Sequence, residues 1–402
     1  MPIDFDMGAT GTLLMAVVIL IVGRWVQTRV SVLEKFFIPA PVIGGFIFSV
    51  IFSLLAYFQV IHLEFDAFLQ KMLMIAFFAT VGFSASFKFL RKGGKVVMLF
   101  LLCASILVIL QNVLGVSLAW MLGESPAFGM ATSSIPMTGG HGTAAAFGPL
   151  LEGKFFLESG SSITIAAATF GLIAGSLLGG PIGRRLMKKY NLKPNEKELK
   201  EAHVASDLNE DKQLKITEHG MFNAVTVIAF AVGGGSVISY YLNSYALVMP
   251  EYIGAMFAAA FIRNLSDYSG WFKINDNEVT VLGNITLFLF LAMALMKMNL
   301  ISLVDLALPI LVILFAQVLM MGLYAYFITF RVMGKTYDAA VMAVGHCGFG
   351  LGATPNAMAN MEAFTAKNFP SPQAFFVLPI VGSLFIDFIN SGVITAFLNF
   401  LY

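Results

Sequence analysis

Thr138-Gly139-Gly140-His141-Gly142-Thr143, and a second run from Gly345-His346-Cys347-Gly348-Phe349-Gly350 through Leu351-Gly352-Ala353-Thr354-Pro355-Asn356, decide how this chain folds. Each lies within a longer broken stretch flanked by apolar runs. Residues 126–151 include Pro126, Pro136, Gly148 and Pro149 beside the tip glycines, and residues 337–361 include four glycines and Pro355. Relative to Ala, a helix interior loses about 1 kcal/mol per Gly and about 3 per Pro. Irregular backbone at bilayer depth is tolerated only where protein or a watery cavity surrounds it. Both stretches therefore read as re-entrant hairpins that enter and leave on one side.

The rest of the chain supports a bilayer setting. Hydrophobic residues make up 58% of the 402 residues and charged ones only 12%, with a mean hydropathy of +0.84. A soluble domain carries about 25% charged residues. Apolar segments long enough to cross a core about 30 Å thick fall near 9–29, 39–60, 70–88, 95–122 and 161–187, and again near 220–242, 246–262, 280–299, 303–330 and 373–400. A polar linker, 188–218, separates an N-terminal half (1–187) from a C-terminal half (219–402). The net charge of +1 gives no basis for a nucleic-acid partner. Cys103 and Cys347 are the only cysteines, which excludes a disulfide scaffold, and no Cys/His spacing suggests zinc. The N-terminus has Asp4 and Asp6 and no basic residue before Arg24, unlike a cleavable signal, so the first apolar run is expected to be retained.

Charge fixes the expected orientation. With five crossings and one hairpin per half and the N-terminus outside, all of the 24 basic residues except Lys71, Lys154 and Lys297 fall on the cytoplasmic side. Counting the hairpins as full spans breaks that agreement. Five crossings also invert the second half relative to the first. A fixed displacement sets Pro39 on Pro250, Thr143 on Thr354, Ala146 on Ala357 and Gly171 on Gly382, and lays the tip at 139–142 over 350–353. Inverted repeats with paired broken segments point to a secondary transporter whose site lies between the repeats. The expected fold is an all-α polytopic membrane protein of two inverted repeats, each with five transmembrane helices and a re-entrant helical hairpin.

Candidate site residues follow. Glycines at 139, 140 and 142, with Thr138, His141 and Thr143, let the backbone approach an anion and expose N–H groups at a helix start. Gly348, Gly350 and Gly352 offer the same at the second tip. Asp387, in the middle of the last span, is a functional candidate by default because charge at that depth is costly. Asn390, Thr354, Asn356 and, at lower rank, Asn284 are oxygen donors for a hard cation. A structural pairing of Asp387 with Asn390 or His346 is the alternative. His141 and His346 are either proton carriers or neutral donors of one hydrogen bond. No arginine lies in an expected membrane core, so a carboxylate must be held by backbone N–H groups and hydroxyls. Importing one negative charge against an inside-negative potential costs about 2.3 kcal/mol per 100 mV, so uptake calls for a coupling cation. A channel would need identical filter residues around a ring, whereas the two tips differ. An enzyme would need a nucleophile–base pair, and none is evident.

At these motifs the chain resembles the bacterial sodium–glutamate symporter family. The matching stretches are Ile38–Gly45, Ala76–Gly82, Gly139–Thr143, Ala168–Gly171, Leu289–Met296 and Tyr337–Met361, spread over nearly the full length. Departures fall in the linker, the outer loops and the first helix. The resemblance implies Na⁺-coupled uptake of L-glutamate, a homodimer embedded in membrane lipid, and the inner membrane of a bacterium with both termini outside. It also implies an elevator mechanism in which the hairpins and the third and last segments move against the first, second and fourth. The alternative is an H⁺-coupled or Na⁺-coupled carrier for another small carboxylate.

Overall fold

The computed structural model describes residues 3–58, 61–193, 216–244, 251–296, 298, 303 and 306–402. Most of the expected linker (194–215), Lys297 and the start of the 246–262 segment lie outside them. Apolar composition and length drive helix formation at every described segment. In the first half the helices are α1 (Gly8–Arg29), a short α2 (Ser31–Lys35), α3 (Ala40–Tyr57), α4 (Phe68–Ser84), α5 (Phe87–Met121), α6 (Pro126–Ala131), α7 (Gly140–Phe155) and α8 (Gly160–Tyr190). In the second they are α9 (Glu218–Ser244), α10 (Glu251–Ser269), α11 (Asp276–Leu295), α12 (Ala307–Tyr324), α13 (Tyr337–Gly350), α14 (Thr354–Thr365), α15 (Pro372–Pro379) and α16 (Ile386–Leu401). Seven spans among the described residues are long and apolar enough to cross a bilayer, with α3 and α4 as shorter apolar helices. The chain is a multi-pass membrane protein.

Three local features depart from an all-helical reading. Ile3–Asp6 (β1) pairs in parallel with Ile61–Glu64 (β2), in the register Ile3↔Ile61 to Asp6↔Glu64. Alternating apolar and polar residues, Ile-Asp-Phe-Asp and Ile-His-Leu-Glu, carry the period of two that strands need. Gly94 leaves helical geometry (φ 61°, ψ −155°), so the spanning part of α5 starts there. α12 continues through a π-turn (Ala325–Thr329), and a second π-turn (Ile380–Phe385) joins α15 to α16. Such turns free main-chain groups inside a helix.

Packing gathers the helices into two bodies. In the first, α1 lies on α3, α9 on α10, α10 on α4, and α4 on α11, which also contacts α3. Backbones there approach closely: a methyl at Gly44 would sit 2.0 Å from the Ile19 carbonyl oxygen, and one at Gly254 would sit 2.3 Å from that of Gly235. Small residues permit such approach where no hydrophobic effect drives helix association. Buried Arg263 of α10 ties this body together at one end, bonding Asp267 at 3.0 Å, Asp276 and the Phe83 carbonyl. In the second body, α5 and α12 pack with α6–α8 and α13–α16. The fourth segments, α5 and α12, thus share the hairpins' body, and the third segments, α4 and α11, pack with the first two. The expected grouping had these reversed. That grouping rests on the resemblance and on where small and polar residues cluster, whereas α5 conceals its contact face in a run of Leu, Val and Ile.

The second broken stretch folds back on itself. Gly348 packs on Ala357 and Gly345 on Met361, where added methyls would come within 2.5 Å of Ala357 Cα and Met361 Sδ. One partner number rises as the other falls, so the arms are antiparallel. With 14 and 12 residues, α13 and α14 are about 21 and 18 Å long, too short to cross alone. The first stretch is less regular. α6 is a single short turn packed on α5, residues 132–139 form successive turns, and α7 runs past the expected end to Phe155.

Candidate functional site

The two glycine-rich turns meet. Gly140, at φ +60°, faces the Gly352 carbonyl oxygen so closely that a methyl there would stand 2.9 Å from it. Thr138 Oγ1 donates to Gln111 Oε1 at 2.7 Å and lies 3.4 Å from the Gly350 carbonyl oxygen. Gln111 Nε2 donates to that same carbonyl at 2.7 Å. Thr138, Gly140, Gly350 and Gly352 therefore form one contact set, with Gln111 of α5 beneath it, while Gly139 contacts its own segment at Ile135, Ser134 and Thr143.

α7 starts at Gly140 without a side-chain cap. Its first-turn N–H groups sit at the junction of the turns, where a helix start favours an anion. Gly142 packs toward Phe77 of α4 and Leu287 of α11, linking the turn to the other body. Thr143 is buried in the same first turn. His141 Nε2 lies 3.0 Å from Thr169 Oγ1, which itself donates to the Ile165 carbonyl. The hydroxyl has one proton, so His141 Nε2 donates in this bond.

The second histidine has a structural setting. His346 Nδ1 is 2.9 Å from Thr329 Oγ1 on the first π-turn, and its ring stacks on Phe349 at 4.8 Å. It does not pair with Asp387. Neither does Asn390, whose Nδ2 donates to the Ser134 carbonyl at 3.0 Å. Among the described residues, no hydrogen bond or ion pair engages the Asp387 carboxylate, although the residue is half-buried. The structural alternative for Asp387 therefore has no partner to stand on.

The five proposed cation donors do not form one cluster. Asn390 meets the first turn, and Asn356 donates from Nδ2 to Leu172 O at 2.8 Å, leaving Oδ1 unpartnered. Thr354 opens α14 beside Gly382 of the second π-turn, where a methyl on that glycine would lie 3.2 Å from Thr354 Oγ1. Asn284 stands apart, lining a cavity of about 560 Å³ with Thr80, Asp276 and Ser383. A second cavity, about 600 Å³, opens between Lys71, Glu251 and Met298 on one side and Leu150, Glu152 and Lys154 on the other. Both cavities lie between the two bodies, with α4 and α11 as shared walls. Phe77 and Phe290, with ring centroids 5.7 Å apart, sit where those walls meet. Among the described residues no group of three His, Cys, Asp or Glu can hold a metal ion, so a cation here draws mainly on neutral oxygens.

Among the buried polar residues that the sequence reading passed over, Gln111, Asn112, Ser134 and Gln317 adjoin the turns. The signal was present, two consecutive amides in the middle of a span, Ile109-Leu110-Gln111-Asn112-Val113. A search for ionisable groups passes over amides.

The family model for the sodium/glutamate symporter matches residues 5–370. The chain is 40% identical over 397 residues to the sodium/glutamate symporter of Escherichia coli (strain K12), covering 98% of each chain. The same values hold for that of Shigella flexneri. With the sodium/glutamate symporter of Haemophilus influenzae it shares 39% identity over 387 residues, 95% of each chain.

Proposed function

The chain belongs to the sodium/glutamate symporter family, and from that premise we propose that it takes up L-glutamate coupled to Na⁺ across a bacterial inner membrane. The observation that carries the mechanism is the meeting of the two turns at Gly140 and Gly352, with Gln111 bonded to both. In this reading 126–151 and 337–361 are re-entrant hairpins from opposite faces, and the substrate carboxylate is held by the His141 and Gly142 N–H groups in the first turn of α7 and by the Thr143 hydroxyl, with Thr138 placed beside them by its bond to Gln111. Backbone donors fixed in a dry site need no reorganisation to meet an anion.

The coupling cation draws on Asp387 with nearby neutral oxygens, Thr354 and Asn356 being the candidates on α14 and Asn390 on α16. Asn284 serves the entry path, since it lines the smaller cavity. With the N- and C-termini outside and the linker cytoplasmic, the cavity of Lys71 and Lys154 faces outward, and that of Asn284 and Ser383 faces inward.

Two inverted repeats, 1–187 and 219–402, are supported by equivalent packing. Gly23 and Gly44 bring α1 and α3 together as Gly235 and Gly254 bring α9 and α10, while α3 meets α11 as α10 meets α4. The two bodies support an elevator reading in which α5–α8 and α12–α16 carry the site against α1, α3, α4 and α9–α11 as the scaffold of a homodimer in lipid. Labelled glutamate uptake into proteoliposomes, under imposed Na⁺ or H⁺ gradients, tests the function. Uptake driven by a proton gradient alone would favour the H⁺-coupled alternative.

A further inference from the structure

Gln111 lies fully buried in the middle of α5, and its amide is shared between the two turns. Nε2 serves Gly350 O and Oε1 serves Thr138 Oγ1, each at 2.7 Å. Its main-chain oxygen accepts from Gln317 Nε2 at 2.9 Å, tying α5 to α12. The next residue, Asn112, accepts at Oδ1 from the Ser134 N–H at 3.1 Å. Ser134 O in turn accepts from Asn390 Nδ2 and from the Gly139 N–H, both at 3.0 Å. Hydrogen bonds thus run from Asn390 on α16, one turn past Asp387, through Ser134 to Asn112, and the α5 main chain joins Asn112 to Gln111, which is bonded to both turns.

This path is under-bonded. Asn112 Nδ2, Ser134 Oγ, Gln317 Oε1 and Asn390 Oδ1 are buried without a hydrogen-bond partner among the described residues. Each unmade bond costs about 1–3 kcal/mol, so an apolar core would be the more stable filling. Side chains with spare donors and acceptors can, however, exchange partners without large movement. Networks with two discrete arrangements are what carry coupling between separated sites.

We propose that Gln111 is the positioning residue that couples cation occupancy beside α16 to substrate binding at the paired turns. The inference rests on the Na⁺/glutamate reading and adds how the two ligands sense each other. A cation that draws on Asn390 and Ser134 oxygens alters the bonds of Ser134, hence of Asn112, hence the set of Gln111. Gln111 then fixes the spacing of Thr138 from Gly350, which is the spacing of the two turns. Without it the turns are held together by fewer bonds, and the binding-competent arrangement becomes a smaller fraction of the ensemble, which raises the apparent dissociation constant by that fraction.

The test uses full-length protein in proteoliposomes with labelled glutamate, at several Na⁺ concentrations. Gln111→Met keeps length and apolar packing but removes both side-chain bonds. The expected result is a glutamate KM raised at least about tenfold, kcat changed less than about threefold, and a KM that Na⁺ no longer lowers as it does in the wild type. In equilibrium binding the coupling is reciprocal, so glutamate loses its effect on the Na⁺ dissociation constant to the same degree. A merely structural role would lower yield and kcat while leaving the Na⁺ dependence of KM intact, and that outcome overturns the proposal, as does a wild-type KM. Should Gln111→Met fail to fold, Thr138→Val removes the other end of the bridge. It decides by the same Na⁺ dependence, unchanged meaning overturned. If the wild type itself shows no Na⁺-driven uptake, the symport reading fails first and takes the coupling with it.

Discussion

Gly140 and Gly352 belong to turns far apart in sequence, yet a single added methyl on Gly140 would press to 2.9 Å from the Gly352 carbonyl. Gly140 also holds φ +60°, which L side chains adopt at a cost of about 1–2 kcal/mol. Space and backbone both exclude a side chain there.

Gly140→Ala should therefore reduce glutamate uptake at least about tenfold, because strain and contact together part the turns. Uptake normalised to the amount of folded protein is the measurement. Wild-type transport would show that the turns open freely and that their contact is incidental.

Asp387→Asn should raise the Na⁺ concentration for half-maximal uptake more than it lowers protein yield, since it removes charge without changing shape. An unpaired carboxylate at this depth has no structural bond to lose. Transport with an unchanged Na⁺ response would remove Asp387 from the cation site.

Gly348→Val should destabilise the detergent-solubilised protein by about 1–3 kcal/mol, seen as a lower melting temperature. The backbones of α13 and α14 touch at Gly348 and Ala357, and nothing flexible can yield. An unchanged melting temperature would mean that the arms separate readily.

Sidedness can be read chemically. Lys154→Cys should react with a membrane-impermeant thiol reagent from outside intact cells, and Ser383→Cys only from inside, because the two residues line different cavities between the bodies. Both reacting from one face would reject the inverted arrangement.

Much of this architecture was legible in the sequence because membrane physics leaves few options. Apolar length set the helices, and glycine with proline marked the stretches inside which regular structure breaks, at 132–139 and 351–353. The paired amides Gln111-Asn112 are visible in the middle of a span, but their role, like that of Gln317, appears only when the turns arrive beside them. The partition of helices was also hidden. α5 and α12 look like lipid-facing spans by composition, and only tertiary packing reveals that one face of α5 lies under both turns. The π-turns at Ala325–Thr329 and Ile380–Phe385 leave no sequence mark beyond Pro379 and Gly382.

The contact between the turns is built from main chain, with one glutamine bridging it. Peptide groups are the same whatever residue bears them, so such a meeting point offers selection almost no alphabet to edit. Altering what the protein carries then demands either changing a glycine, with its attendant strain, or changing residue 111. A lineage of such carriers would keep its cargo while the remainder of the chain drifts.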